Sequence, residues 1–249
     1  MIQLKNNDEI AWIRESGHLL SETFRKLEEM VRPGIRTREL DRFARSYIET
    51  HGGTPAFLGM YNYPASLCIS INEEVIHGIP GARTLKSGDI VSLDLGVKLK
   101  GYISDAAHTY SVGTTSPDRR RLLEITEECL ERAVAALEPG ERLNRLSKAV
   151  YDHATSNGFS VVRQYCGHGV GFSLHEDPQI RNYVGPGPNP KLKEGMVLAI
   201  EPMLNGGTWE VKILDDGWTV VTTDGSDSAH FEYTVALTAD GVEILTPFS

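Results

Sequence analysis

The 249-residue chain carries one structural unit twice at a fixed offset, and that duplication restricts its fold more than any other feature. Lys86-Ser87-Gly88-Asp89-Ile90-Val91-Ser92-Leu93-Asp94 matches Lys193-Glu194-Gly195-Met196-Val197-Leu198-Ala199-Ile200-Glu201 in pattern, so two apolar strands end in carboxylates 107 positions apart. Upstream of each strand lies a helix pair. Residues 8–31 and 37–51 have helical apolar spacing (Ile10, Ile13, Leu20, Phe24 and Leu27 in the first) on either side of Arg32-Pro33-Gly34. Residues 118–137 and 143–157 repeat this around Glu138-Pro139-Gly140, with the two prolines 106 positions apart. Two related halves, roughly 8–112 and 118–238, are therefore expected to face each other with their acids meeting at the junction.

Composition gives no reason to split the chain further. With 40% hydrophobic and 24% charged residues and no long Pro/Gly/Ser-rich stretch, residues 1–249 are expected to form one domain. A net charge of −9 argues against a nucleic-acid surface, which needs clustered Lys and Arg. The local exception, Asp118-Arg119-Arg120-Arg121, reads as a solvated helix face. Cys68, Cys129 and Cys166 form no C-x-x-C pair, so buried thiols are expected in place of a disulfide framework or a thiolate zinc site. The start, Met1-Ile2-Gln3-Leu4-Lys5, lacks a secretory signal pattern, and no segment approaches the ~18 apolar residues of a membrane span. A cytoplasmic location without membrane contact is the expectation.

From Val91 to Val97 the sequence alternates, with Val91, Leu93, Leu95 and Val97 on one face and Ser92, Asp94 and Gly96 on the other. Residues 101–112 read as the partner strand, and a hairpin centred on Leu99-Lys100 pairs Asp94 directly with Asp105. Carboxylates so opposed repel, which leaves either a protonated acid or a cation between them, or else two exposed acids beside a turn. His168, in Tyr165-Cys166-Gly167-His168-Gly169-Val170-Gly171, has glycines on both sides that allow close backbone approach. Glu201 ends an apolar run just before Pro202, and Glu232 shares a strand face with His230, Thr234 and Ala236; neither belongs on a buried strand without a partner. Two aspartates, two glutamates and one imidazole carry four negative charges, the complement of two divalent cations in a hydrolytic site.

These residues resemble the metal-binding pattern of the type I, bacterial-type methionine aminopeptidases over nearly the whole chain. Ile71-Asn72-Glu73-Glu74-Val75-Ile76-His77-Gly78-Ile79-Pro80 is similar to that family's first substrate-histidine motif, and Cys166-Gly167-His168-Gly169-Val170-Gly171 to its metal-histidine motif. Ile200-Glu201-Pro202-Met203 and Ser228-Ala229-His230-Phe231-Glu232 complete the set, and the short span from His175 to Glu201 leaves no room for a type II insertion.

The resemblance implies an α+β pita-bread fold, a central curved antiparallel sheet covered by two helix pairs, forming one catalytic metallopeptidase domain. It implies two divalent metal ions (Mn, Fe, Co or Zn), with Asp105 and Glu232 shared between them, Asp94 on one, and His168 with Glu201 on the other. Water activated by the metals is the implied nucleophile, Glu201 a proton shuttle, and His77 and His175 the non-ligand histidines that position substrate. Phe57, Met60, Tyr63, Cys68, Leu174 and Trp218 correspond to the methionine pocket. Met60 and Leu174 stand where an aromatic is common, and Tyr233 where histidine is frequent. The implied substrates are N-termini of nascent polypeptides with a small second residue, met by a monomer in transient association with the ribosome. Parts of the sequence also resemble Xaa-Pro peptidases on the same fold, and a non-catalytic binding protein on this scaffold is the third reading.

Overall fold

The computed structural model describes residues 1–248. Four helices form where the periodicity places them: α1 (Asn7–Met30), α2 (Thr37–Thr50), α3 (Pro117–Ala135) and α4 (Asn144–Ser156). Local chemistry sets their starts. The Asn6 side chain accepts from Glu9 N while the Glu9 carboxylate accepts from Asn6 N, a reciprocal cap that satisfies two otherwise unpaired helix-end donors. Ser116 caps α3 in front of Pro117, whose missing N–H costs nothing at a first-turn position.

The strands are antiparallel and form two main sheets and two small ones. In the first main sheet, Ile90–Leu99 is central, flanked by Tyr102–Ser111 on one edge and by Thr54–Pro55 and Cys68–Ile71 on the other. The second runs Gly241–Ile244, Tyr233–Thr238, Val197–Ile200, Gly167–Gly169, Glu176–Ile180. Each half buries one sheet face under its helix pair. Val91, Leu93, Leu95 and Val97 pack on Leu20, Phe24 and Leu27 of α1 and Leu40 and Ile48 of α2. Leu198, Ile200, Val235 and Leu237 do the same with Leu122, Cys129 and Leu130 of α3 and Leu146 and Val150 of α4. Burying a side chain of this size stabilises by roughly 1.5–3 kcal/mol, so helix packing fixes which sheet face remains for the opposite side.

The two halves join along the free edge of Tyr102–Ser111. Glu232 N donates to Ala107 O at 2.8 Å. On either side of that bond, threonine hydroxyls replace ladder bonds: Thr234 Oγ1 accepts from Asp105 N and donates to Asp105 O, and Thr109 Oγ1 does the same with His230 N and O.

The hairpin register differs from the expected one. Leu99 pairs with Tyr102, so Gly96 lies opposite Asp105 and Asp94 opposite Ala107, and the two aspartates are diagonal neighbours on one face. The turn explains the shift. Its central residues are Lys100 and Gly101, with φ of 51° and 92°, the two positive values that a tight hairpin turn requires and that glycine supplies most readily. Centring it on Leu99-Lys100 would force positive φ on Leu99 and leave Gly101 inside a strand.

The strand expected to carry His230, Glu232, Thr234 and Ala236 is two strands in different sheets. Ser228–His230 pairs with Met203–Asn205, and Tyr233–Thr238 with Val197–Ile200. Pro202 interrupts the partner segment, and having no N–H it cannot continue the ladder. Glu232 at the break donates across to Ala107 instead. The arginine run is internally paired as well: Arg119 forms a two-pronged contact with Asp227, Arg120 donates to Thr115 O, and Arg121 reaches Asn157. Cys68 and Cys129 are buried, whereas Cys166 is half-buried, a correction to the expectation of three buried thiols.

Candidate metal centre and substrate pocket

The faces turned away from the helices meet in a cavity of about 230 Å³. Asp94 and Asp105 enter from the first sheet, His168 from the short Gly167–Gly169 strand, Glu201 from the end of Val197–Ile200 just before Pro202, and Glu232 from the break between Ser228–His230 and Tyr233–Thr238. Ligand atoms of Asp105, His168 and Glu232 all lie within 4.8 Å of one another. His168 Nε2 is 3.6 Å from Glu201 Oε1 and 3.8 Å from Asp105 Oδ2.

Glycines allow the crowding here. A Cβ on Gly167 would stand 2.4 Å from Ala199 O, and one on Gly169 2.2 Å from Asp177 O, so His168 is carried on a strand pressed between two backbones. At Gly96 a Cβ would meet Phe57 Cε1 at 2.8 Å and Leu174 Cδ1 at 3.3 Å, inside the pocket wall.

Three buried carboxyls, Asp94, Asp105 and Glu232, and the largely buried Glu201 converge with no Lys or Arg among the lining residues. Burial pushes all four up. Asp105 reaches about 7; Glu201 reaches about 8, with Asp105 as a second cause; Asp94 and Glu232 rise well above the usual range, each reinforced by the other acids. Burial holds the nearby imidazoles neutral, His168 and His230 down to about 3 and His77 to about 4. Asp94 Oδ1, Asp105 Oδ1, Glu232 Oε1 and His230 Nε2 are buried without any hydrogen-bond partner. Orphaned acceptors of this kind are costly unless a cation satisfies them, and three oxygens with neutral imidazoles form a hard donor set for divalent metal. The residues fit such ions.

A pH dependence follows for the metal-free protein. Carboxyls whose folded pKa lies above the unfolded value stabilise the fold when protonated and lose that contribution as pH rises through the folded pKa. The histidines have depressed pKa values and act in the opposite sense, but only below their unfolded value near 6.5. Between pH 6.5 and about 8 all four acids are ionised in the unfolded chain but wholly or partly protonated in the fold, so stability falls with rising pH, by up to about 1.4 kcal/mol per pH unit for each net proton. Thermal melting of chelated protein at pH 6.5, 7.25 and 8 should show this fall, and a flat or rising midpoint would contradict it.

Around the acids the cavity is apolar and sulfur-bearing. Phe57, Met60, Tyr63, Cys68, Leu174 and Trp218 line it together with His77 and His175, so every residue nominated from sequence reaches one space. Tyr63 donates to Gly78 O at 3.0 Å and packs edge-on against Trp218. His77 has a positive φ of 59°, the kind of backbone strain that persists only when surroundings enforce it, and its ring stands edge-on to Tyr165 and Trp218. The His175 ring is T-shaped to His168 with centroids 4.5 Å apart, at the open rim. A separate cleft of about 280 Å³ beside α4, lined by Ile2, Leu143 and Pro178 among others, gathers no such cluster.

Two site residues were not nominated. His230 is buried with Nε2 3.7 Å from Glu201 Oε2; its place two residues before Glu232 on an alternating segment was the available signal. Tyr61 is exposed at the mouth with φ of 48°, and nothing in its sequence neighbourhood marks it.

Fold and site together define a metalloprotein scaffold, with a donor set for divalent cations gathered at the junction of two antiparallel halves. The chain belongs to metallopeptidase family M24, whose family model matches residues 11–239. It is 54% identical over 246 residues to the methionine aminopeptidase of Clostridium perfringens, covering 99% of each chain. The crystal structure of methionine aminopeptidase from Thermotoga maritima superposes with a TM-score of 0.96 at 42% identity and 99% coverage of both chains. The prolidase from Pyrococcus furiosus is less similar, at a TM-score of 0.80 and 26% identity, with 99% of this chain matching 66% of that one.

Proposed function

We propose that this chain removes the N-terminal methionine from peptides and proteins with a small second residue, using two divalent ions held by Asp94, Asp105, His168, Glu201 and Glu232. The observation that carries the reading is the placement of partnerless buried carboxylates at one side of a cavity walled by aromatic, aliphatic and sulfur-bearing side chains. Such walls suit a thioether, and the acid cluster beside them suits a free α-ammonium group. The relatives named methionine aminopeptidase match end to end, whereas the prolidase match leaves a third of that chain uncovered.

In this reading Asp94, Asp105, His168, Glu201 and Glu232 would together hold the ions, the acids supplying oxygen donors and His168 the imidazole. When bound, divalent ions polarise a carbonyl and acidify water toward neutrality. Glu201, exposed to the cavity and facing two neutral histidines, moves the proton to the leaving amine. His77 and His175 donate toward the carbonyl oxygen as charge develops there. The reading extends to one catalytic domain over residues 1–249, acting as a cytoplasmic monomer on nascent chains at the ribosome.

The test compares hydrolysis of Met-Ala-Ser and Ala-Pro-Ala peptides with Mn²⁺, Fe²⁺, Co²⁺ or Zn²⁺. Methionine release from the first alone is expected, and it should vanish on chelation. Cleavage before proline would favour the Xaa-Pro reading, and inactivity with every metal a binding role.

A further inference from the structure

Lys5 and Glu176 form an ion pair whose side chains are 1% and 2% exposed, with Nζ 2.5 Å from Oε2. The partners are 171 residues apart in sequence and join the segment before α1 to the edge strand Glu176–Ile180. Neither belongs to the metal cluster or the pocket lining.

The other Glu176 oxygen is engaged too. Oε1 accepts from Phe172 N at 2.7 Å and from Ser173 N at 2.9 Å, so one carboxylate holds the two amides that lead directly into Leu174 and His175. Lys5 is itself anchored: its N–H donates to Gly195 O at 2.7 Å and its Nζ to Gln3 O. The loop fits closely around it. The Lys5 ammonium sits 5.1 Å from the centre of the Phe172 ring, and a Cβ on Gly171 would press on Lys5 Cε at 2.9 Å.

A buried pair of this kind adds little net stability over an apolar replacement, because desolvation offsets the attraction, while removal of one partner strands a buried charge. Its output is geometry. Leu174 closes the apolar wall against Gly96, and His175 stands edge-on to His168, so displacement of the loop at residues 172–173 moves both.

We propose that Lys5 is a positioning residue for the peptidase: through the Glu176 carboxylate it fixes the loop 171–175 and so sets Leu174 and His175 against the metal cluster. The inference rests on the function proposed above for its kinetic consequence. A misplacement of about 1 Å at a reacting group can cost on the order of 10²-fold in rate, so a loosened loop lowers kcat more than it raises KM.

The test uses full-length protein with Lys5→Met and with Lys5→Met/Glu176→Gln, measuring kcat and KM on Met-Ala-Ser, metal content, melting midpoint and amide exchange over residues 171–175. Lys5→Met is expected to keep its metal, lose roughly tenfold or more in kcat, and exchange the loop amides faster than the rest of the protein. The double variant has no stranded charge, so it should recover most of the midpoint while kcat stays low and exchange stays fast. It carries the test alone if Lys5→Met does not fold. Recovery of kcat together with the midpoint, or loop exchange equal to wild type in a folded variant, would overturn the proposal. Should the wild type release no methionine, the peptidase reading fails, and the exchange comparison still decides whether Lys5 fixes the loop.

Discussion

Asp105→Ala and Glu232→Ala are each expected to abolish methionine release, by on the order of 10³-fold or more, together with tight metal binding. Both residues reach the same ligand cluster as His168, and both keep a buried oxygen with no protein partner. Truncation removes one charge of four and opens a gap between elements from opposite halves, since Asp105 lies on the first sheet and Glu232 at the bridge to Ala107. Metal analysis of the purified variants, run beside peptide hydrolysis, checks the result. Two tightly bound ions with normal turnover in either variant would refute the ligand assignment.

Loss of function should come with a gain in metal-free stability when shape is preserved. Asp105→Asn removes a charge that burial disfavours by on the order of a few kcal/mol at pH 8, judged from its displaced pKa. The chelated variant is therefore expected to melt above chelated wild type at that pH and below metal-loaded wild type. Such an exchange of stability for charge is common where a site must hold groups the fold alone would exclude.

The helices and the inward or outward sense of the central strands were legible in sequence because they follow from periodicity. The greasy stripe of α1 and the alternation from Val91 to Val97 each specify a buried face, and packing left those faces unchanged. Register was less accessible. A two-residue difference in pairing leaves every side chain on its own face, so alternation cannot detect it; the φ requirement at Lys100 and Gly101 decides it. The break after His230 depends on Pro202, whose missing donor acts on a strand paired through space, not in sequence. Within the site, the acids stood out as charges ending apolar runs. Tyr61 did not, because its place at the mouth comes from a loop with left-handed backbone at two successive residues.

His175→Ala should separate rate from metal binding. The imidazole faces His168 edge-on at the rim, and partial burial lowers its pKa, so it is neutral at pH 7.5 and able to donate an N–H. No carboxylate oxygen lies within ion-pair distance of its ring among the described contacts, whereas His168 has two and His230 one. Its removal therefore leaves the acid cluster intact and, in the role proposed above, deletes only a donor directed at charge that develops during the reaction. Loss of one such donor costs about 10²–10³-fold in kcat with little change in ground-state binding. The expected variant binds the same amount of metal as wild type, keeps KM within a few-fold and turns over at least about 100-fold more slowly. Metal content and full saturation kinetics on Met-Ala-Ser measure all three. If metal content collapses while His168→Ala retains its ions, the two histidines have exchanged roles, and the ligand set must be redrawn around the rim.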